Sequence, residues 1–83
     1  MDTEHLQEVL TPLEQLAEDF TIPKNIRKIF SEVKEILLNT KNPLDVKCAT
    51  ANSRLEELVN DPNLPMHART TLWEVMSKLE TIR

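Results

Sequence analysis

Apolar side chains return along this chain at three- and four-residue steps, in four separate stretches. In the first, Leu6, Val9, Leu10, Leu13, Leu16, Ala17 and Phe20 form one stripe. That is the spacing of an amphipathic helix, and it predicts helix 1 from about Glu4 to Glu18. Pro12 interrupts it. Thr11-Pro12-Leu13-Glu14 has the form of a capping box with proline at the first helical position, so the pattern allows a kink at Pro12 or a helix that begins there. Ile26, Ile29, Phe30, Val33, Ile36 and Leu37 predict helix 2 from about Pro23 to Asn39. Of Thr21 and Ile22 at its start, Thr21 is the better capping side chain. Leu44, Cys48, Ala51, Leu55, Leu58 and Val59 predict helix 3 from about Pro43 to Val59. Asn42-Pro43-Leu44-Asp45 opens it with a capping residue, a proline and an acid in the first turn. Ala68, Leu72, Val75, Met76, Leu79 and Ile82 predict helix 4, from about Leu64 or Pro65 to Thr81, with Asn63 as its cap.

The pattern is written twice. Asp19-Phe20-Thr21-Ile22-Pro23-Lys24-Asn25-Ile26-Arg27 recurs as Asp61-Pro62-Asn63-Leu64-Pro65-Met66-His67-Ala68-Arg69, an offset of 42 residues (61 − 19). Leu13-Glu14 matches Leu55-Glu56, Leu16 matches Leu58, Glu32-Val33 matches Glu74-Val75 and Leu37 matches Leu79. The repeat therefore runs over about 13–37 and 55–79, inside a single helical domain spanning 1–83. Short connections favour antiparallel neighbours, and the expected fold is all-α: a four-helix up-and-down bundle made of two homologous helical hairpins. The alternative is a HEAT-like hairpin pair, because the period falls in the range of such repeats, although arrays of that kind need at least three repeats to bury a continuous core.

Composition narrows the function. At 83 residues the chain buries roughly 60% of the surface its unfolded form exposes, which leaves little to spare for a large interior cavity. A net charge of −4 disfavours a general polyanion binder. Glycine is absent, which disfavours the phosphate-cradling loops that need its backbone freedom. Cys48 is the only cysteine, so no internal disulfide forms and a reducing cytoplasm is the expected location. The acidic start, Met1-Asp2-Thr3-Glu4-His5, lacks the basic region of a signal peptide, and no stretch reaches the length of a membrane span.

Alternating helices place the two Asp…Pro…Arg segments side by side at one end. That end collects Lys24, Asn25, Arg27 and Lys28 from one copy and His67 and Arg69 from the other, a possible surface for an anion or an acidic partner segment. The competing reading is structural. Asp19 and Asp61 satisfy orphan N–H groups ahead of the helices, Pro23 and Pro65 set the backbone, and the two arginines reach to an aspartate and lock the turns. His5 and His67 lack the further ligands a metal needs, and His67 suits a polar contact at the start of helix 4. Cys48 suits a small buried apolar position. Trp73, beside Arg69, Met76 and Glu80, either covers the bundle seam half-buried or anchors an interface; Met66, Trp73 and Met76 would equally cover the seam of a homo-oligomer. Helix 1 carries Asp2, Glu4, Glu8, Glu14, Glu18 and Asp19 and no lysine or arginine, whereas helix 2 and its end carry Lys24, Arg27, Lys28, Lys34 and Lys41 against Glu32 and Glu35, and complementary neighbouring helices explain that division.

At the two repeat motifs, and most specifically at Asp61 through Thr70, the chain resembles uncharacterised protein family number 0147, small archaeal proteins. Trp73-Glu74-Val75-Met76-Ser77-Lys78-Leu79-Glu80 also fits its C-terminal helix, and the resemblance covers about residues 6–82. It implies an all-α four-helix domain. The family has no assigned activity, so the resemblance supplies no catalytic or ligand residue.

The expectation is a small non-enzymatic protein-interaction module or accessory subunit, with no cofactor and no membrane partner. The alternative is an RNA- or ribosome-associated protein using Lys24, Arg27, Lys28 and Lys34. An enzyme built on His67 with Asp61 or Asp19 would require a pocket at the paired turns.

Overall fold

Four helices realise the four stripes. The computed structural model describes residues 3–82, with side chains from Leu6 onward; Asp2 and the side chains of Glu4 and His5, invoked above, lie outside the described residues. The helices are α1 (Thr3–Ala17), α2 (Lys24–Leu38), α3 (Leu44–Val59) and α4 (Met66–Thr81). α1 packs on α2 and α4, and α3 packs on α2 and α4, while the diagonal pairs stay apart. This is the ring of an up-and-down bundle, 34 × 19 × 19 Å. A HEAT-like pair would stack α1 on α3 and α2 on α4, and those contacts do not exist among the described residues.

The repeat is visible in what is buried. Leu13 and Leu55, Leu16 and Leu58, Ile22 and Leu64, Phe30 and Leu72, Val33 and Val75, and Leu37 and Leu79 occupy matching positions, and every one is in the core. Val9 with Ala51, and Ile26 with Ala68, match large with small, so the two hairpins interlock without being copies. Cys48 is buried among them. No polar or charged residue is buried as a whole among the described residues.

Three expectations are corrected. α1 runs unbroken from Thr3 to Ala17 with Pro12 inside it, so it does not begin there. Val9 and Leu10 on one side of the proline and Leu13 and Leu16 on the other are all in the core. Their burial holds the helix against the roughly 3 kcal/mol that an interior proline costs. Phe20 leaves the stripe: α1 has ended, the helical spacing no longer applies, and the ring is 87% exposed while Ile22 takes the buried place.

The third correction concerns the helix starts. Thr21, Asn42 and Asn63 do not cap them; Pro23, Pro43 and Pro65 stand at the cap positions, with no side-chain capping bond. Their φ of −54°, −61° and −59° and ψ of 145°, 155° and 152° combine the fixed proline φ with an extended ψ. Their carbonyls accept the N–H of Arg27, Lys47 and Arg69, each at 3.0 Å.

All three connections share one design. The side chains of Asp19, Asn39 and Asp61 accept the N–H two residues on, from Thr21, Lys41 and Asn63, at 2.9, 2.8 and 2.8 Å. Each is an Asx turn, and each is followed four residues later by its proline. The turns at Asp19 and Asp61 sit at one end of the bundle and the turn at Asn39 at the other.

Candidate functional site

The end that carries two turns is built around Asp19. Its Oδ1 accepts the Thr21 hydroxyl at 2.6 Å as well as the Thr21 N–H at 2.9 Å. His67, at the start of α4, donates Nε2–H to the other oxygen, Oδ2, at 2.8 Å. The Thr21 hydroxyl lies 3.4 Å from the same nitrogen. The first turn and the start of the fourth helix are thus joined directly. The Thr21 hydroxyl first, then His67, hold the Asp19 carboxyl down at about 2, from an ordinary 3.8. Such a carboxylate is a fixed anion, unsuited to moving protons near neutral pH. His67 serves as a contact at the start of α4.

Both arginines bind the backbone of the turns. Arg27 Nε donates to the Ile22 carbonyl at 3.0 Å. Arg69 Nε donates to the Val59 carbonyl at 3.0 Å, and its Nη2 to the Asp61 carbonyl at 2.9 Å. Neither takes an aspartate carboxylate as its partner; the Asx turns engage Oδ1 of both aspartates, and His67 holds Asp19 Oδ2. Val59 is the last residue of α3, and its carbonyl is one of those that a helix leaves without an intrahelical partner. Pro23 and Pro65 close the same turns from the other side.

Arg27 has a second role. Its guanidinium carbon lies 4.9 Å from the centroid of the exposed Phe20 ring, a cation–π distance. Beside it, Lys24, Asn25, Arg27 and Lys28, with Ala17 and Ser31, line a groove of about 650 Å³ on the outside of α2. Three of these six residues carry positive charge and none carries a carboxylate. Lys24 and Lys28 have no ion-pair partner among the described residues. Lys34, Arg54 and Lys78, by contrast, pair with Glu14, Glu32 and Glu8 across helices at 3.1, 3.4 and 2.9 Å.

The structure gathers the anticipated residues into three places. Lys24, Asn25, Arg27 and Lys28 share the groove. His67 and Arg69 belong to the opposite hairpin and do not line it. Trp73 stands on α4, 51% exposed, two turns beyond Met66, which is 69% exposed. Phe20, Thr21 and Ser31 were not anticipated here. The repeat carried a signal for Phe20, since its counterpart is Pro62 and not an apolar core residue. Among the described residues no group of three or more His, Cys, Asp or Glu side chains could hold a metal ion, and no helix is long and apolar enough to cross a membrane.

The model of Uncharacterised protein family (UPF0147) matches residues 1–82. A UPF0147 protein of Thermoplasma volcanium is 44% identical over 82 residues, covering 99% of this chain and 92% of its own length. A UPF0147 protein of Archaeoglobus fulgidus is 46% identical over 77 residues, covering 93% of this chain and 87% of its own. The crystal structure of a protein from this family from Thermoplasma acidophilum superposes with a TM-score of 0.92 at 43% identity, covering 99% of this chain and 96% of that one. A crystal structure of a protein of unknown function gives a TM-score of 0.95 at 38% identity, over 100% of this chain and 94% of that one.

Proposed function

The chain belongs to the uncharacterised protein family UPF0147, and on that premise we propose that it is a small non-enzymatic protein-interaction module whose docking surface is the two-turn end of the bundle and the flank of α2. The observation that carries this reading is Phe20. An aromatic ring 87% exposed, set on a turn held by three hydrogen bonds to Asp19, is an apolar anchor presented on a rigid support. Aromatic anchors of this kind dominate binding energy in protein interfaces. Met66, exposed at the start of α4 beside His67, adds a second apolar contact at the same end. The turn chemistry is spent on holding backbone, which favours binding over catalysis. A buried single thiol at Cys48 suits work in the reducing cytoplasm.

Purification of the tagged chain from its own cells, with and without nuclease, tests this. Beside it runs the variant Phe20→Ser with Met66→Ser, whose fold is checked by circular dichroism. The expected result is a stoichiometric protein partner that survives nuclease and is lost from the folded double variant. A partner lost with nuclease would move RNA association to the front, through Lys24, Arg27, Lys28 and Lys34. A partner retained by the double variant would place the docking surface elsewhere.

A further inference from the structure

We infer that the groove on α2 receives an acidic segment of a protein partner, with apolar side chains of that segment passing toward Phe20. This rests on the reading of the two-turn end as a docking surface and adds the chemistry of what docks there.

The charge pattern is the reason. The chain as a whole is acidic, at −4, yet the groove is lined by Lys24, Arg27 and Lys28 with no carboxylate among them. Three nearby acids are engaged elsewhere. Asp19 is bound to Thr21 and His67, Glu14 pairs with Lys34 and Glu32 with Arg54. Glu18 and Glu35 are exposed and line no part of the groove. Unpaired cations concentrated in one concavity of an acidic molecule attract and orient a segment of opposite charge.

The wall is also partly apolar. Ala17 contributes a methyl group, and lysine and arginine side chains present methylene stems beneath their charges. Arg27 is fixed between the Ile22 carbonyl and the Phe20 ring, so one cation of the groove is held in place before anything binds. Pre-ordering of that kind removes part of the entropy cost of association.

A peptide fits better than a nucleic acid. Three cations in one groove neutralise few phosphates, and the acidic remainder of the molecule repels a long polyanion. The exposed ring beside the groove is already covered on one side by Arg27, which leaves an edge for an aliphatic contact.

The test is a titration of the isotope-labelled full chain with three probes, followed by the amide resonances. The probes are a short peptide of aspartates and glutamates carrying two leucines, the same peptide with lysines in place of the acids, and a single-stranded oligouridine. The acidic peptide is expected to shift Ala17, Lys24, Lys28 and Ser31, and the lysine peptide to leave them unmoved. Lys24→Glu with Lys28→Glu should weaken the acidic peptide at least about tenfold. Lys41→Glu with Lys47→Glu changes the net charge equally, outside the groove, and should leave affinity within about twofold. Unmoved groove amides, equal loss in both charge variants, or tighter binding of the oligouridine would each overturn the inference. Any of these with the nuclease-resistant partner still recovered on Phe20 refutes the acidic chemistry alone. Loss of that partner refutes the docking surface itself.

Discussion

His67 Nε2 donates to Asp19 Oδ2 at 2.8 Å across 48 positions of sequence, and this bond ties the turn of one hairpin to the first turn of the last helix. It has a pH signature. The Asp19 carboxyl lies at about 2 in the folded chain and 3.8 as its ordinary value. A carboxyl lowered by folding contributes stability that is fully present above its unfolded pKa and is lost as pH falls through the folded one. The urea midpoint of the native chain minus that of Asp19→Asn should therefore be constant above about pH 5 and shrink between about pH 4 and pH 2. A difference that stays constant down to pH 2 would show that the carboxylate does not hold the turn.

The two arginines should not be equivalent. Arg69 makes two hydrogen bonds to turn carbonyls and Arg27 makes one, supplemented by an exposed ring. Charged hydrogen bonds contribute about 1.5–3 kcal/mol each at best and less when part-exposed. Arg69→Ala is expected to cost about 1–3 kcal/mol and Arg27→Ala about half of that. Chemical denaturation of both variants gives the order; equal costs or the reverse order would contradict the assignment.

Pro12 should be replaceable with profit. It withholds an N–H from the middle of α1, and an interior proline is about 3 kcal/mol less favourable than alanine. Pro12→Ala restores a bond to the Glu8 carbonyl without touching the buried side chains. A gain of about 1–3 kcal/mol corresponds to a rise in Tm of several degrees for a domain of this size. An unchanged or lower Tm would mean that the helix has adapted fully to the ring.

Asn52 offers the opposite kind of test. Its side-chain Oδ1 is buried with no hydrogen-bond partner. An unmet buried acceptor costs about 1–3 kcal/mol, and a similarly shaped apolar group removes that cost. Asn52→Leu is expected to raise stability by about 1 kcal/mol; a loss would show that the amide is satisfied by water.

The helices and the core were legible because they depend on spacing. Leu13, Phe30, Leu55 and Leu72 fall on helical stripes, and an offset of 42 between the copies marks the same buried positions twice. The turns were legible only in part. Asp19, Pro23, Asp61 and Pro65 stood out because they recur, whereas the same turn at Asn39 and Pro43 was hidden: asparagine replaces aspartate, and no partner turn lies at that end. Side-chain targets were the least legible. The sequence supplies a positive Arg27 and a negative Asp19. It does not say that the Asx turn and His67 already occupy the carboxylate and leave the Ile22 carbonyl for the arginine. Phe20 misled because helical spacing continues on paper past the residue where the helix stops.

The most direct test of the docking surface places a photo-cross-linking p-benzoylphenylalanine at Phe20, where a bulky exposed ring already stands, and as a control at Thr40, exposed on the turn at the opposite end. Cells expressing each chain are irradiated, treated with nuclease and analysed by mass spectrometry. A discrete protein adduct from position 20 and none from position 40 is the expected result. Equal adducts from both positions, none from position 20, or adducts that disappear with nuclease would contradict the account.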